Sequence, residues 1–141
     1  MRISVLRKKT KEIENFNKKQ WPIADKENYG PEKRWIEEKY YILSKENNNN
    51  ILGILLLVVV CGLGHIETLI VSSNHRKKGI GRELIQKAEK ISQKKGCHKM
   101  HLETGKSWSA FKFYRKMGYE IEAELPKHFF KQNVVIFTKY L

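Results

Sequence analysis

Val71-Ser72-Ser73-Asn74-His75-Arg76-Lys77-Lys78-Gly79-Ile80-Gly81-Arg82-Glu83-Leu84 is the stretch on which the reading of this chain turns. An apolar strand ends, a basic loop turns, and two glycines open a helix. Gly79 and Gly81 lack Cβ atoms, so a ligand can approach the main chain closely and unusual φ values cost little. The first turn of a helix leaves backbone N–H groups unpaired at the positive end of the helix dipole. Arg76, Lys77, Lys78 and Arg82 add full charges, and together these groups make an anion site whose most natural ligand is a pyrophosphate. A tight turn with close helix packing would use the same glycines. The dinucleotide pattern Gly-x-Gly-x-x-Gly fails because Leu84 stands where the third glycine is needed. No Gly-Lys-Ser/Thr follows, as a nucleotide-triphosphatase loop requires.

Working outward, His65 to Val71 reads as the strand before this loop. In the helix after it, Ile80, Leu84, Ala88 and Ile91 share one side while Arg82, Lys87, Lys90 and Lys94 fall elsewhere. Gly96 closes it where an αL cap is expected, with Lys94 and Lys95 at the negative end. Lys99 to Thr104 is the next strand, Met100 and Leu102 pointing inward and His101 and Glu103 lying on the other face. His65 to Thr104 thus forms a βαβ unit. A helix from about Trp108 to Met117 carries Ala110, Phe113, Tyr114 and Met117 on one face and ends at Gly118. Glu120 to Leu125 and Asn133 to Tyr140 read as a last pair of strands joined by Pro126 to Gln132. Upstream, Ile51 to Val60 is almost wholly apolar, which implies a strand buried on both faces. An Asn-rich turn (Asn47 to Asn50) and a short strand (Tyr40 to Leu43) precede it. Met1 to Leu6 alternates as a first strand, and Thr10 to Gln20 is a first helix. Pro22, Gly30 and Pro31 break the polar, aromatic stretch that follows, and Pro31 opens a second helix through Trp35 and Ile36. No internal repeat is present.

The 141 residues make one ordinary domain, residues 1–141, with a normal apolar share of 40%. Lys and Arg outnumber Asp and Glu by 28 to 15, a formal charge of +13. That balance favours an anionic partner, namely nucleic acid, a phosphorylated cofactor or an acidic membrane surface, or else reflects solvated helix faces. Cys61 and Cys97 lack any Cys-x-x-Cys or His-rich context and read as small buried thiols. The five histidines show no metal-ligand spacing, so no metal is expected. The N-terminus lacks the apolar stretch of a signal peptide. The longest apolar run, Ile51 to Leu63, is interrupted by Gly53 and Gly62 and falls short of the roughly 20 residues a membrane helix needs. A soluble cytoplasmic protein is expected.

Arg76-x-x-Gly79-x-Gly81 resembles the Gln/Arg-x-x-Gly-x-Gly/Ala signature of the GNAT superfamily of N-acetyltransferases. Leu69-Ile70-Val71 resembles that family's central strand, and Ala110-x-x-Phe113-Tyr114-x-x-x-Gly118-Tyr119 its later helix motif. The match spans Ile66 to Tyr119, with departures at Ser73, where many members have Pro, and at Ser107 to Ser109, where an Asn often contacts the cofactor. The resemblance implies a single-domain α/β fold in which helices flank a mixed central sheet and a splayed pair of central strands binds acetyl-CoA. It implies direct transfer of acetyl to a primary amine, on a small molecule, a protein or peptide N-terminus or a lysine, with no acyl-enzyme.

Carried over residue by residue, main-chain groups of Leu69, Ile70 and Val71 hold the pantetheine arm and polarise the carbonyl. Arg76, Lys77, Lys78, Gly79, Ile80, Gly81 and Arg82 hold the pyrophosphate, with Ser107 and Phe113 as further cofactor contacts. Tyr114 matches the family's general-acid tyrosine, although core packing on an apolar helix face is its alternative. Glu67 is the first choice for the base that deprotonates the amine, through water or directly; Glu103 and His101 are rivals, and His65 and His128 follow. The acceptor is bordered by Trp21, Asp25, Glu27, Tyr29 and Trp35 and by His128, Phe129 and Phe130. The protein is expected to be a monomer or homodimer without membrane contact. The competing reading is a noncatalytic basic protein that binds acyl-CoA, nucleic acid or the ribosome, although no nucleic-acid motif is present.

Overall fold

The computed structural model describes all residues from Met1 to Leu141. The chain forms two compact units, Met1–Ile36 and Glu37–Leu141.

In the larger unit, six strands make one sheet. They are β1 (Glu37–Lys45), β2 (Ile51–Val60), β3 (Leu63–Val71), β4 (Lys99–Gly105), β5 (Glu120–Leu125) and β6 (Val134–Tyr140). Their spatial order is β1-β2-β3-β4-β6-β5. The first three form an antiparallel meander. Helix α2 (Ile80–Lys94) crosses over from β3 to β4, which pair in parallel, as the expected βαβ unit requires. Helix α3 (Ser109–Lys116) then leads into the antiparallel pair β5 and β6, with β6 inserted between β4 and β5.

One core serves this unit. Leu55, Leu57 and Ile66 from the meander meet Leu84, Ile85 and Ala88 of α2, and Met100, Leu102 and Phe137 meet Tyr114 of α3. Both helices therefore cover the same sheet face. The long apolar strand β2 departs here from its expectation. Gly53, Leu55, Leu57 and Val59 are buried, but on its other face only Val58 is, the remaining residues being half-buried. The other face carries no helix of this unit, so the apolar run reflects an interior position in the sheet more than a double cover.

A second feature decides the geometry of the site. The β2–β3 register slips by one residue, Leu56 facing Thr68 while Leu57 faces Ile66. Glu67 is thus the extra residue of a β-bulge, which re-aims everything after it. Ile66 and Leu69 both join the core although they are three residues apart.

The smaller unit corrects three expectations. Met1 to Leu6 forms no strand, because its alternation finds no partner edge; Ile3 and Val5 are exposed. The helix α1 runs Lys11–Tyr29, past Gln20 and with Pro22 inside it. Thr10 caps its start through Ile13 N–H (3.3 Å) and Gly30 N–H closes its end on Lys26 O (3.0 Å). The helix-favouring residues from Ala24 to Glu27 carry it beyond the one donor that Pro22 removes. No second helix follows Pro31, since the six residues between Gly30 and β1 are consumed by a turn and the approach to the strand. No helix of the chain is long and apolar enough to cross a membrane.

The two cysteines also part company. Cys97 is buried as expected, and desolvation raises its thiol pKa. Cys61 is exposed instead, on the two-residue turn between β2 and β3, with φ of +50°. Both are free thiols.

Candidate functional site

The parallel pair β3 and β4 is joined only at Leu63–Lys99, Gly64–Met100 and His65–His101. Beyond that row, Ile66–Val71 of β3 and Leu102–Gly105 of β4 no longer pair with each other. Two central strands thus open into a fork, exposing backbone N–H and C=O groups that an extended ligand can meet as a strand would. Leu69 and Val71 are half-buried on the helix side and Ile70 is exposed on the other.

At the open end of β3, a short 3₁₀ turn (Ser73–His75) delivers the chain into the basic loop. Ser72 N–H bonds Leu52 O (2.8 Å) and His75 Nδ1 lies 3.3 Å from Ser72 Oγ. Glu46 lies 3.6 Å from His75 Nε2, so the turn before the basic residues is tied to the β1–β2 connection. Arg76, Lys77 and Lys78 are exposed. Lys77 takes a φ of +60° and Gly79 one of +87°, and a Cβ at Gly79 would meet nothing within 4 Å. Gly79 caps α2 without any side chain bonding the first-turn amides. Ile80 and Gly81 are half-buried, and Arg82 is exposed. A Cβ at Gly81 would stand 3.2 Å from the Phe113 ring and 3.8 Å from Val71, which ties the loop to α3 and to the fork. Free amides at a helix start, four unpaired cations and open main chain fit a diphosphate. The adjoining fork fits an extended arm attached to it.

Tyr114 is 6% exposed and packs against Phe113, Tyr119 and Phe137. Burial pushes its phenol up to about 12. The hydroxyl therefore stays protonated throughout the neutral range, the state of a proton donor rather than a base. Next to it, Tyr119 donates to Glu89 (3.1 Å), which also holds Lys139 (2.9 Å), linking α2, the turn after α3 and β6.

Glu67 is exposed on the bulge and Glu103 is exposed on β4. His65 and His101 are stacked, with ring centroids 4.4 Å apart and planes 8° from parallel. Sequence reasoning ranked these two separately and missed the pair. Their shared depth follows from strands that start at Leu63 and Lys99, so a register guess for the βαβ unit would have found it.

Ser107 is exposed in the turn between β4 and α3. Beside it lies a contact the sequence did not signal. A Cβ at Gly105 would come within 2.3 Å of the Trp108 indole, whose Nε1–H donates to Gln132 Oε1 (3.0 Å). His128, Phe129 and Phe130 lie exposed in the β5–β6 connection, Phe130 97% exposed with φ of +50°. In the smaller unit, Trp21, Asp25, Tyr29 and Trp35 line a concavity of about 710 Å³, and Glu27 is not part of its wall. No group of three or more His, Cys, Asp or Glu side chains is placed to hold a metal ion.

The model of the acetyltransferase (GNAT) family matches residues 10–119. A glucosamine 6-phosphate N-acetyltransferase of Trypanosoma brucei brucei is 39% identical over 57 residues, 40% of this chain and 37% of that protein. The chain thus matches well under half the length of that relative. Among solved structures, an acetyltransferase from Bacillus cereus ATCC 14579 superposes with a TM-score of 0.80 at 23% identity, covering 98% of each chain. A GNAT family acetyltransferase from Elizabethkingia anophelis, crystallised with acetyl-CoA bound, gives 0.67 at 21%, covering 73% of this chain and 76% of its own. At these identities the superpositions show the fold.

Proposed function

The chain belongs to the acetyltransferase (GNAT) family, and from that premise we propose that residues 1–141 act as one acetyl-CoA-dependent N-acetyltransferase domain acting on a primary amine. The observation that carries the proposal is the fork between β3 and β4 opening beside the uncapped, cation-lined start of α2. Acetyl-CoA supplies an acetyl group already activated as a thioester.

The amides of the α2 first turn, with Arg76, Lys77, Lys78 and Arg82, bind its diphosphate. Main-chain groups of Leu69, Ile70 and Val71 hold the extended arm along the open side of β3, and an amide near the bulge faces the carbonyl oxygen, where negative charge develops. Phe113 packs beside Gly81 and Ser107 lines the turn at the far side of the fork, completing the cofactor's surroundings. Tyr114 keeps its proton until the thiolate leaves and then gives it to sulfur. Glu67 on the bulge, with His101 and Glu103 on the facing strand, surrounds the amine side.

Glucosamine 6-phosphate, named in the relative, is the first acceptor to test, and the surplus of Lys and Arg suits its phosphate. Free thiols and a cofactor made inside cells suit work in the cytoplasm. The test combines calorimetry with acetyl-CoA and release of the CoA thiol across a panel of primary amines led by that sugar. Micromolar binding and amine-dependent release are expected. A protein that fails to bind acetyl-CoA sinks the reading.

A further inference from the structure

We propose that His65 and His101 form the proton-accepting pair of this transfer, the stacked imidazoles taking the proton that the acceptor amine gives up. The inference rests on the acetyl-transfer reading above and deepens it.

Three observations converge. First, His65 and His101 are the last paired residues of β3 and β4, so their rings mark the closed end of the fork. An extended arm anchored at the Gly79 loop and following β3 back past Val71, Ile70 and Leu69 arrives at the Glu67 bulge. The two residues from the bulge to His65 advance the strand by about 7 Å, so the pair lies one pleat repeat from the end of that arm.

Second, the pair is enclosed sideways but not covered by its own neighbours. Val58 of β2 faces His65 and Thr138 of β6 faces His101, and these flanking residues are 4% and 6% exposed while both rings are half-buried. Third, the rings lie on the sheet face opposite the helices. Tyr114 packs on Phe137, whose strand partner Leu102 joins the helix-side core. Proton acceptor and proton donor thus flank one fork from its two faces, so the two proton transfers use separate groups.

In balance, a nitrogen–carbon bond forms and the carbon–sulfur bond breaks with its electron pair on sulfur. One amine proton goes to the imidazole pair, and the Tyr114 hydroxyl proton goes to sulfur. Solvent exchange then returns the imidazolium and the phenolate to their starting states.

The groups facing His101 are Lys99 and Glu103 on its own strand, His65 from β3, Thr138 from β6 and Glu122 from β5, which bonds Lys99 (2.6 Å). Burial first, then His65 and Lys99, hold His101 below the usual imidazole range, with Glu122 opposing. The ring is therefore neutral and able to accept at pH 7. Stacking also means that a proton on one ring disfavours a second on the other.

The test uses the full chain with ¹⁵N-labelled histidine. Adding acetyl-CoA should move the His65 and His101 ring resonances, while His98 serves as the reference. Thiol release is then followed against pH with glucosamine 6-phosphate as amine, or with water as acceptor where that sugar is not used. His65→Gln and His101→Gln should each lower the rate at least tenfold, remove the acid limb of the profile, and leave acetyl-CoA affinity within threefold. The double variant should be no worse than the poorer single one, and Glu67→Gln should keep the acid limb. Failure to bind acetyl-CoA would fail the acetyl-transfer reading itself. Binding that leaves both rings unmoved, or an acid limb lost only in Glu67→Gln, overturns the pair alone.

Discussion

Helices α2 and α3 begin alike: each follows a strand of the fork, and neither has a side chain capping its first turn. What stands over those first turns differs. At α2 the cap is Gly79, with nothing near its Cβ direction, and none of Arg76, Lys77, Lys78 or Arg82 is engaged in an ion pair. At α3 the cap is Trp108, whose indole lies on Gly105 and bonds Gln132, and the nearby Lys106 is neutralised by Glu124 (2.9 Å). The same orphan amides make a ligand site only where cover and counter-charge are both withheld. In the proposed mechanism α3, freed from that duty, contributes a side chain instead, Tyr114.

The comparison breaks most sharply at that tyrosine. Tyr114→Phe should lower kcat by about 100- to 1,000-fold, the lower part of the range for a lost general acid, with acetyl-CoA affinity unchanged by calorimetry. Because burial holds the phenol near about 12, the rate should not fall through the region near pH 10 where an exposed tyrosine ionises. A basic limb near 10 that vanishes in Tyr114→Phe would show the hydroxyl to be solvent-exposed in the working state.

Next in size is Gly81→Asp, which places a carboxylate against the diphosphate and should weaken acetyl-CoA binding by about 100-fold, roughly 2.7 kcal/mol. Gly81→Ala controls for the 3.2 Å approach to Phe113 and should lose far less. Arg76→Ala should cost about tenfold, with a reduced salt dependence of affinity. Trp108→Phe keeps a ring on Gly105 while losing the bond to Gln132. It should lower stability by about 1 kcal/mol and change acetyl-CoA affinity less than twofold. Loss of affinity as large as that of Arg76→Ala would erase the distinction between the two helix starts.

The smallest effect concerns His101. Its folded pKa lies below the ordinary value, so the unfolded chain binds that proton more readily. The stability it contributes is present above the unfolded pKa, near about 6.5, and is lost as pH falls towards the folded one. The drop in melting temperature below that pH should be shallower in His101→Gln.

The βαβ unit and the basic loop were legible because they rest on local chemistry: the glycine pair, the one-sided apolar spacing of α2, the glycines that close each helix. β2 was read to the residue from its apolar run. Long-range partners were not legible. Ile3 and Val5 alternate like a strand but have no edge to join, and Pro22 reads as a breaker in a helix that passes through it. The bulge at Glu67, the Trp108–Gly105 contact and the histidine stack depend on register between distant segments, which no single stretch encodes.

That bulge also sets a phase. Strand β3 delivers Gly64 and Ile66 to the core before it and Leu69 and Val71 after it, so one additional residue shifts the alternation by half a period. Removing that residue would restore plain alternation and leave Leu69 and Val71 towards the helices, whereas a residue lost after it would turn Leu69 or Val71 away. The tolerance of β3 to insertion or deletion is therefore set at this single point. A one-residue deletion at Glu67 should harm the fold less than a one-residue deletion anywhere else in β3.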